Sequence, residues 1–143
     1  MYFDEVDFVR TQSLPISELW KFLPLGYLVT ILIETPVLLI GLPKALTLRQ
    51  KFLCGLWLTA CTYPIVILVL PAIFLDNSRT LYLVVAETFA PVAECLLFWF
   101  AYRKNELLST GGWVQAFAAI VVANVASFGL GEVMNYYQWF GLL

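Results

Sequence analysis

Three glutamates lie inside long apolar runs, where a carboxylate is costly. Glu34 interrupts TILIETPVLLIG (30–41), and Glu87 and Glu94 interrupt AETFAPVAECLLFWFAY (86–102). Seven residues separate the last two, nearly two helical turns, so they share one helix face. Polar residues that could answer them recur in two other apolar runs. TACTYP (59–64) carries Thr59, Thr62 and Tyr63, and NVASFG (124–129) carries Asn124 and Ser127. Carboxyls among hydroxyls and an amide can hold a proton, coordinate a hard cation, or hydrogen-bond one helix to another. The chain has no histidine, so the commonest haem, zinc and copper ligand and the usual proton shuttle are missing. Cys54, Cys61 and Cys95 form no C-x-x-C pair and read as small apolar fillers. No metal site and no cofactor is expected from this chain.

The elements that must position these groups are legible in composition. The 143 residues are 62% hydrophobic and 13% charged. Soluble domains run at about 45–50% and about 25%. The apolar residues fall into four blocks, 22–42, 52–75, 81–102 and 113–131. Each is near the roughly 20 residues that a helix needs to cross a bilayer, and none alternates as barrel strands do. The expected fold is all-α: a polytopic integral membrane protein with four transmembrane helices in an up-down bundle. Linkers at 43–51, 76–80 and 103–112 are short enough to join antiparallel neighbours. Gly111-Gly112 reads as a breaker that ends the third linker. Residues 1–21 form an N-terminal segment outside the transmembrane domain (22–143). Within it SLPISELWKF (13–22) suits a short interfacial helix with Trp20 at headgroup level, and equally an unstructured leader. Its acidic flank (Asp4, Glu5, Asp7) and the lack of a small-x-small site argue against a cleaved signal.

Lys44, Arg49, Lys51, Arg103 and Lys104 lie on one side of the expected membrane, and Arg10, Lys21 and Arg79 on the other. The positive-inside rule then makes linkers 1–2 and 3–4 cytoplasmic and puts both termini on the outer face. A net charge of −2 gives no footprint for nucleic acid. The expected partners are the lipid bilayer and other integral membrane subunits.

Depth brings the polar residues together. Glu34 and Glu94 each precede a lysine, Lys44 and Lys104, by ten residues. That is about 15 Å along a helix. Thr59, Thr62 and Asn124 fall at a similar level, near the midplane. A charged carboxylate there costs at least about 2.5–3.5 kcal/mol, and no Lys or Arg within a span is placed to pair with it. A neutral carboxyl that donates one hydrogen bond and accepts others resolves the cost. Were Glu34 and Glu94 neighbours, they would share a proton. Pro36, Pro64 and Pro91 sit centrally in three helices, and each frees a carbonyl one turn back. The pattern also hints at a parallel two-helix repeat. IETPVLLIGLPK (33–44) aligns with AECLLFWFAYRK (93–104), and TACTYP with NVASFG. Helix 1 then corresponds to helix 3, and helix 2 to helix 4.

Several four-helix membrane families are excluded by motif. Disulfide-forming oxidoreductases need C-x-x-C, and diheme cytochromes need paired histidines. Small multidrug transporters carry a first-helix Glu, but the rest of their pattern does not match. With IETP (33–36), TACTYP (59–64), AE (93–94) and ANVASF (123–128), the chain resembles small bacterial integral membrane proteins of unassigned function. In those, V-E-x-P, N-x-x-T-H-P, V-E and A-N-x-x-S-F mark the four helices. This chain departs at Thr59 (for Asn) and Tyr63 (for His). The resemblance implies a fold and a bacterial inner-membrane location.

Two readings of function follow. In one the chain is a non-catalytic subunit of a larger membrane complex, its polar cluster fixing helix register and its aromatic surface LLFWFAY (96–102) meeting lipid or a partner. In the other it is a small proton- or cation-coupled transporter working through the intramembrane glutamates.

Overall fold

The computed structural model of the chain describes residues 16–74 and 78–137. Those residues form helices and connections with no strand. Helix α1 runs from Ile16 to Gly41, α2 from Leu48 to Ile73, α3 from Arg79 to Tyr102 and α4 from Thr110 to Tyr136. Each contains a stretch long and apolar enough to cross a membrane: Leu23–Gly41, Leu48–Ile73, Thr80–Tyr102 and Thr110–Met134. α1 packs against α2 and α4, and α3 packs against the same two helices less extensively.

Capping explains where the helices begin. Thr47 and Gln50 form a reciprocal capping box: the Thr47 hydroxyl accepts from the Gln50 N–H (3.2 Å) and the Gln50 side chain accepts from the Thr47 N–H (2.8 Å). This T-x-x-Q signature starts α2 at Leu48, four residues before the expected span. The Ser78 hydroxyl accepts from the Leu81 N–H and opens α3. The Ser109 hydroxyl accepts from the Gly112 N–H. Gly111 and Gly112 therefore lie inside the first turn of α4 instead of ending the linker. The first N–H groups of a helix lack intrahelical partners anyway, so glycine is tolerated there.

Of the expected N-terminal segment, residues 1–15 lie outside the described residues. Residues 16–21 run without a break into α1, because nothing between Ile16 and Gly41 stops the helix. Pro24 and Pro36 are carried inside it.

Helix α2 holds a local defect with an identifiable cause. Pro64 and Pro71 bracket a π-helical turn, Ile65–Val69, in which the Leu70 N–H reaches back to the Ile65 carbonyl. Val66 thereby loses its usual donor, and the next amide, Pro71, has no N–H. The Tyr82 hydroxyl on α3 supplies the missing bond to the Val66 carbonyl at 2.9 Å.

The core is uneven along the helices. Leu38, Leu42, Leu46, Cys54, Leu58, Phe98, Tyr102, Ala116, Ala119, Ile120 and Ala123 form a continuous buried cluster in the half nearest the 1–2 and 3–4 connections. The opposite half buries few apolar side chains, Leu70 and Ala86 among them. The packed half is also sealed at the end of α1. Lys51, buried on α2, donates from Nζ to the Leu42 carbonyl (2.7 Å) and the Leu39 carbonyl (3.3 Å). Gln115 on α4 donates to the Gly41 carbonyl (2.9 Å). Three carbonyls at a helix end thus find donors on two neighbours, with a cation at the negative end of the helix dipole.

Candidate functional site: a polar network at mid-depth

Close approach of α1 and α2 comes first. Gly55 on α2 lies against Thr35 on α1, where a Cβ would collide with the threonine side chain. Gly26 on α1 lies under the Tyr63 hydroxyl in the same way. Absent side chains let the two backbones come near enough for short polar side chains to bridge them.

Six of the residues named from sequence then meet. The Thr59 hydroxyl donates to Glu34 Oε2 (2.7 Å) and the Ser127 hydroxyl to Glu34 Oε1 (2.7 Å). The Thr62 hydroxyl donates to Glu94 Oε1 (2.8 Å) and Asn124 Nδ2 to Glu94 Oε2 (2.8 Å). Each glutamate of an odd helix is therefore held by one side chain from each even helix. Glu34 and Glu94 are only 3% and 2% exposed, and Thr59, Thr62 and Asn124 are buried with them. Among the described residues no charged group pairs with either carboxyl, so hydrogen bonds carry the compensation for burial there.

Proton counting sharpens the charge state. Thr59 also faces the Gly55 carbonyl (2.9 Å), Thr62 the Leu58 carbonyl (3.1 Å) and Ser127 the Asn124 carbonyl (3.0 Å). Each hydroxyl has one proton and two acceptors within reach. Asn124 spends its two amide protons on Glu94 and the Ile120 carbonyl (3.0 Å). A proton on Glu34 and one on Glu94 would let Thr59 and Thr62 accept from the carboxyls and donate to their own helices. With neutral glutamates nearly every contact is then a complete hydrogen bond. The two carboxyls do not bond to each other. They communicate through Asn124 and Ser127, so the geometry provides a place for one proton on each carboxyl, not one shared directly between them.

Two expected members stand apart. Tyr63 packs over Gly26 and against the Tyr27 ring, with centroids 6.1 Å apart. Glu87 is half-buried and lines a groove between α3 and α4. Polar residues that the sequence did not single out serve the helix backbones instead: Lys51, Gln115 and Tyr82 as described, and Tyr27, whose hydroxyl donates to the Leu56 carbonyl (2.8 Å). Lys51 read as a flanking topology charge. A lysine one turn past a helix-start signature and facing a preceding helix end is the clue to its inward role. Thr35 is buried with its hydroxyl unpartnered, pressed on Gly55.

Among the described residues no group of His, Cys, Asp and Glu side chains is arranged to hold a metal ion. The chain matches no protein-family model, no curated protein and no solved structure.

Proposed function

We propose that the chain is a non-catalytic integral membrane subunit of a larger bacterial inner-membrane complex, whose mid-depth network locks four helices in an up-down bundle. The observation that carries this reading is closure: every carboxyl oxygen of Glu34 and Glu94 is hydrogen-bonded to a side chain from a neighbouring helix of the same chain. The groove lined by Glu87 lies outside that network, and the groove lined by Cys61 meets it only at Thr62. A carrier site would leave a carboxyl oxygen open to an access path, whereas here each oxygen is bound to a neighbouring helix. The network also supports the two-helix repeat. If Glu34 corresponds to Glu94, Thr59 to Asn124 and Thr62 to Ser127, each glutamate takes the first polar residue of its own repeat and the second of the other. Two-fold exchange of that kind is what a duplicated hairpin would generate. The outer faces carry Val92, Leu96, Trp99 and Phe100, all well exposed, as surface for lipid and partner subunits. Extraction in a mild detergent followed by native mass measurement tests the proposal. Companion subunits at fixed stoichiometry support it; a stable monomer or homodimer without companions overturns it.

A second reading, proton-coupled transport, is favoured by one observation: the hydroxyls of the network can each switch between a carboxyl and a carbonyl. Proton flux in proteoliposomes that Glu34→Gln or Glu94→Gln abolishes would favour transport over the subunit reading. Unchanged flux in both variants would remove it.

A further inference from the structure

Glu87 stands out as a carboxyl inside a span that takes no hydrogen bond or ion pair among the described residues. It lies eight residues beyond Arg79 in α3. At 1.5 Å per residue that is about 12 Å from the helix start, below the headgroups. Its main chain lacks the usual helical donor as well. Pro91, four residues on, has no N–H to give, so the Glu87 carbonyl has lost its helical donor. Helix carbonyls point toward the C-terminus, here toward Pro91. Both residues line the same groove between α3 and α4, with Thr88, Cys95, Trp99 and Phe117. The Thr88 hydroxyl is turned away, donating to the Val84 carbonyl at 2.8 Å. The groove thus has two acceptors from one residue at one end and apolar and aromatic walls along the rest. Twelve residues separate Glu87 from Trp99, about 18 Å of helix.

The dimensions and charge select the occupant. The cavity measures about 530 Å³, within the range of roughly 300–1,000 Å³ typical of small-molecule sites. A phospholipid headgroup sits too far out to reach Glu87. The groove presents the Glu87 carboxyl and has no cationic side chain among its lining residues, so an anion is disfavoured and a cation or strong donor is welcome. We propose that this groove binds a single-chain lipophilic amine dissolved in the bilayer. Its head donates to the carboxyl and carbonyl of Glu87, and its chain lies along α3 toward Trp99 and Phe117. The inference depends on the membrane-spanning character of the helices and is independent of whether the chain is a complex subunit.

The test uses the full-length chain in detergent micelles, with octadecylamine, octadecanol and octadecanoic acid offered separately and bound adducts read by native mass spectrometry. The amine is expected to be retained about tenfold better than the alcohol, equivalent to about 1.4 kcal/mol, and the acid least. Glu87→Gln should bring the amine down to the level of the alcohol. Val92→Trp, which fills the exposed wall of the groove from position 92, should remove both amine and alcohol whatever the state of Glu87. Equal retention of amine and alcohol, preference for the acid, or amine binding untouched by both variants would overturn the proposal.

Discussion

Glu94 and Glu87 occupy one face of one helix, seven residues apart, in different surroundings. Glu94 is 2% exposed and accepts from α2 and α4. Glu87 is half-buried beside a groove and accepts from neither. Residue type, helix and face are shared, so the difference lies in what the neighbouring helices present at each level. Around Glu94, α2 offers Thr62 and α4 offers Asn124, and the buried cluster of Leu58, Phe98, Ile120 and Ala123 closes the site. Around Glu87, α4 brings the carboxyl of Glu132 and α2 is occupied with its π-helical turn. A carboxyl in a membrane protein is a structural bond or an open binding group according to donors that it does not itself supply.

The contrast can be broken most thoroughly at Gly55, because the network that adjoins Glu94 is built on the close approach of α1 and α2. Gly55→Leu should destabilise the folded chain by about 3 kcal/mol or prevent its folding, the upper range for overpacking. Denaturant titration followed by circular dichroism in micelles measures it, and a wild-type midpoint would show that the close approach is dispensable. The next largest effect separates the two glutamates directly. Glu94→Leu leaves the second Asn124 proton buried without an acceptor and should lose about 1–3 kcal/mol. Glu87→Leu removes an unpartnered carboxyl from lipid and should be neutral or stabilising. Equal losses in the two variants would erase the distinction. Smaller still, Tyr82→Phe strips the donor from the Val66 carbonyl and should cost about 0.5–1.5 kcal/mol. Faster amide exchange around Leu70 than in wild type would locate that loss at the π-helical turn. The finest test asks about protons. A glutamine amide, like a neutral carboxyl, both donates and accepts, whereas a carboxylate only accepts. Glu34→Gln and Glu94→Gln should therefore each shift stability by no more than about 0.6 kcal/mol, the mean for an interhelical bond in lipid. A loss several times larger would mean that the native groups are ionised.

Much of this was readable before any coordinates. Four apolar blocks predict four membrane-length helices, because span length is set by bilayer thickness and hydropathy alone. Distance from the span ends places Glu34, Glu94, Thr59, Thr62 and Asn124 at one depth, since helical rise is constant. Helix starts were less legible: T-x-x-Q at Thr47 is a local signature, but an apolar-run boundary at Phe52 obscured it. Lys51 followed that boundary, read as a flanking topology charge when it is 8% exposed and caps α1.

What the sequence alone determined is therefore what depends on one helix at a time: span number, depth, and which helices proline interrupts. Azimuth, the direction each polar side chain faces and what meets it there, was settled by packing between helices. Glu87 and Glu94 share a helix face, so no periodicity could assign one to a closed network and the other to a groove. That choice depends on contacts between residues 30 to 93 positions apart, such as Asn124 with Glu94 and Ser127 with Glu34. Such pairings form only once four helices have docked, because lipid supplies no donors to substitute for them.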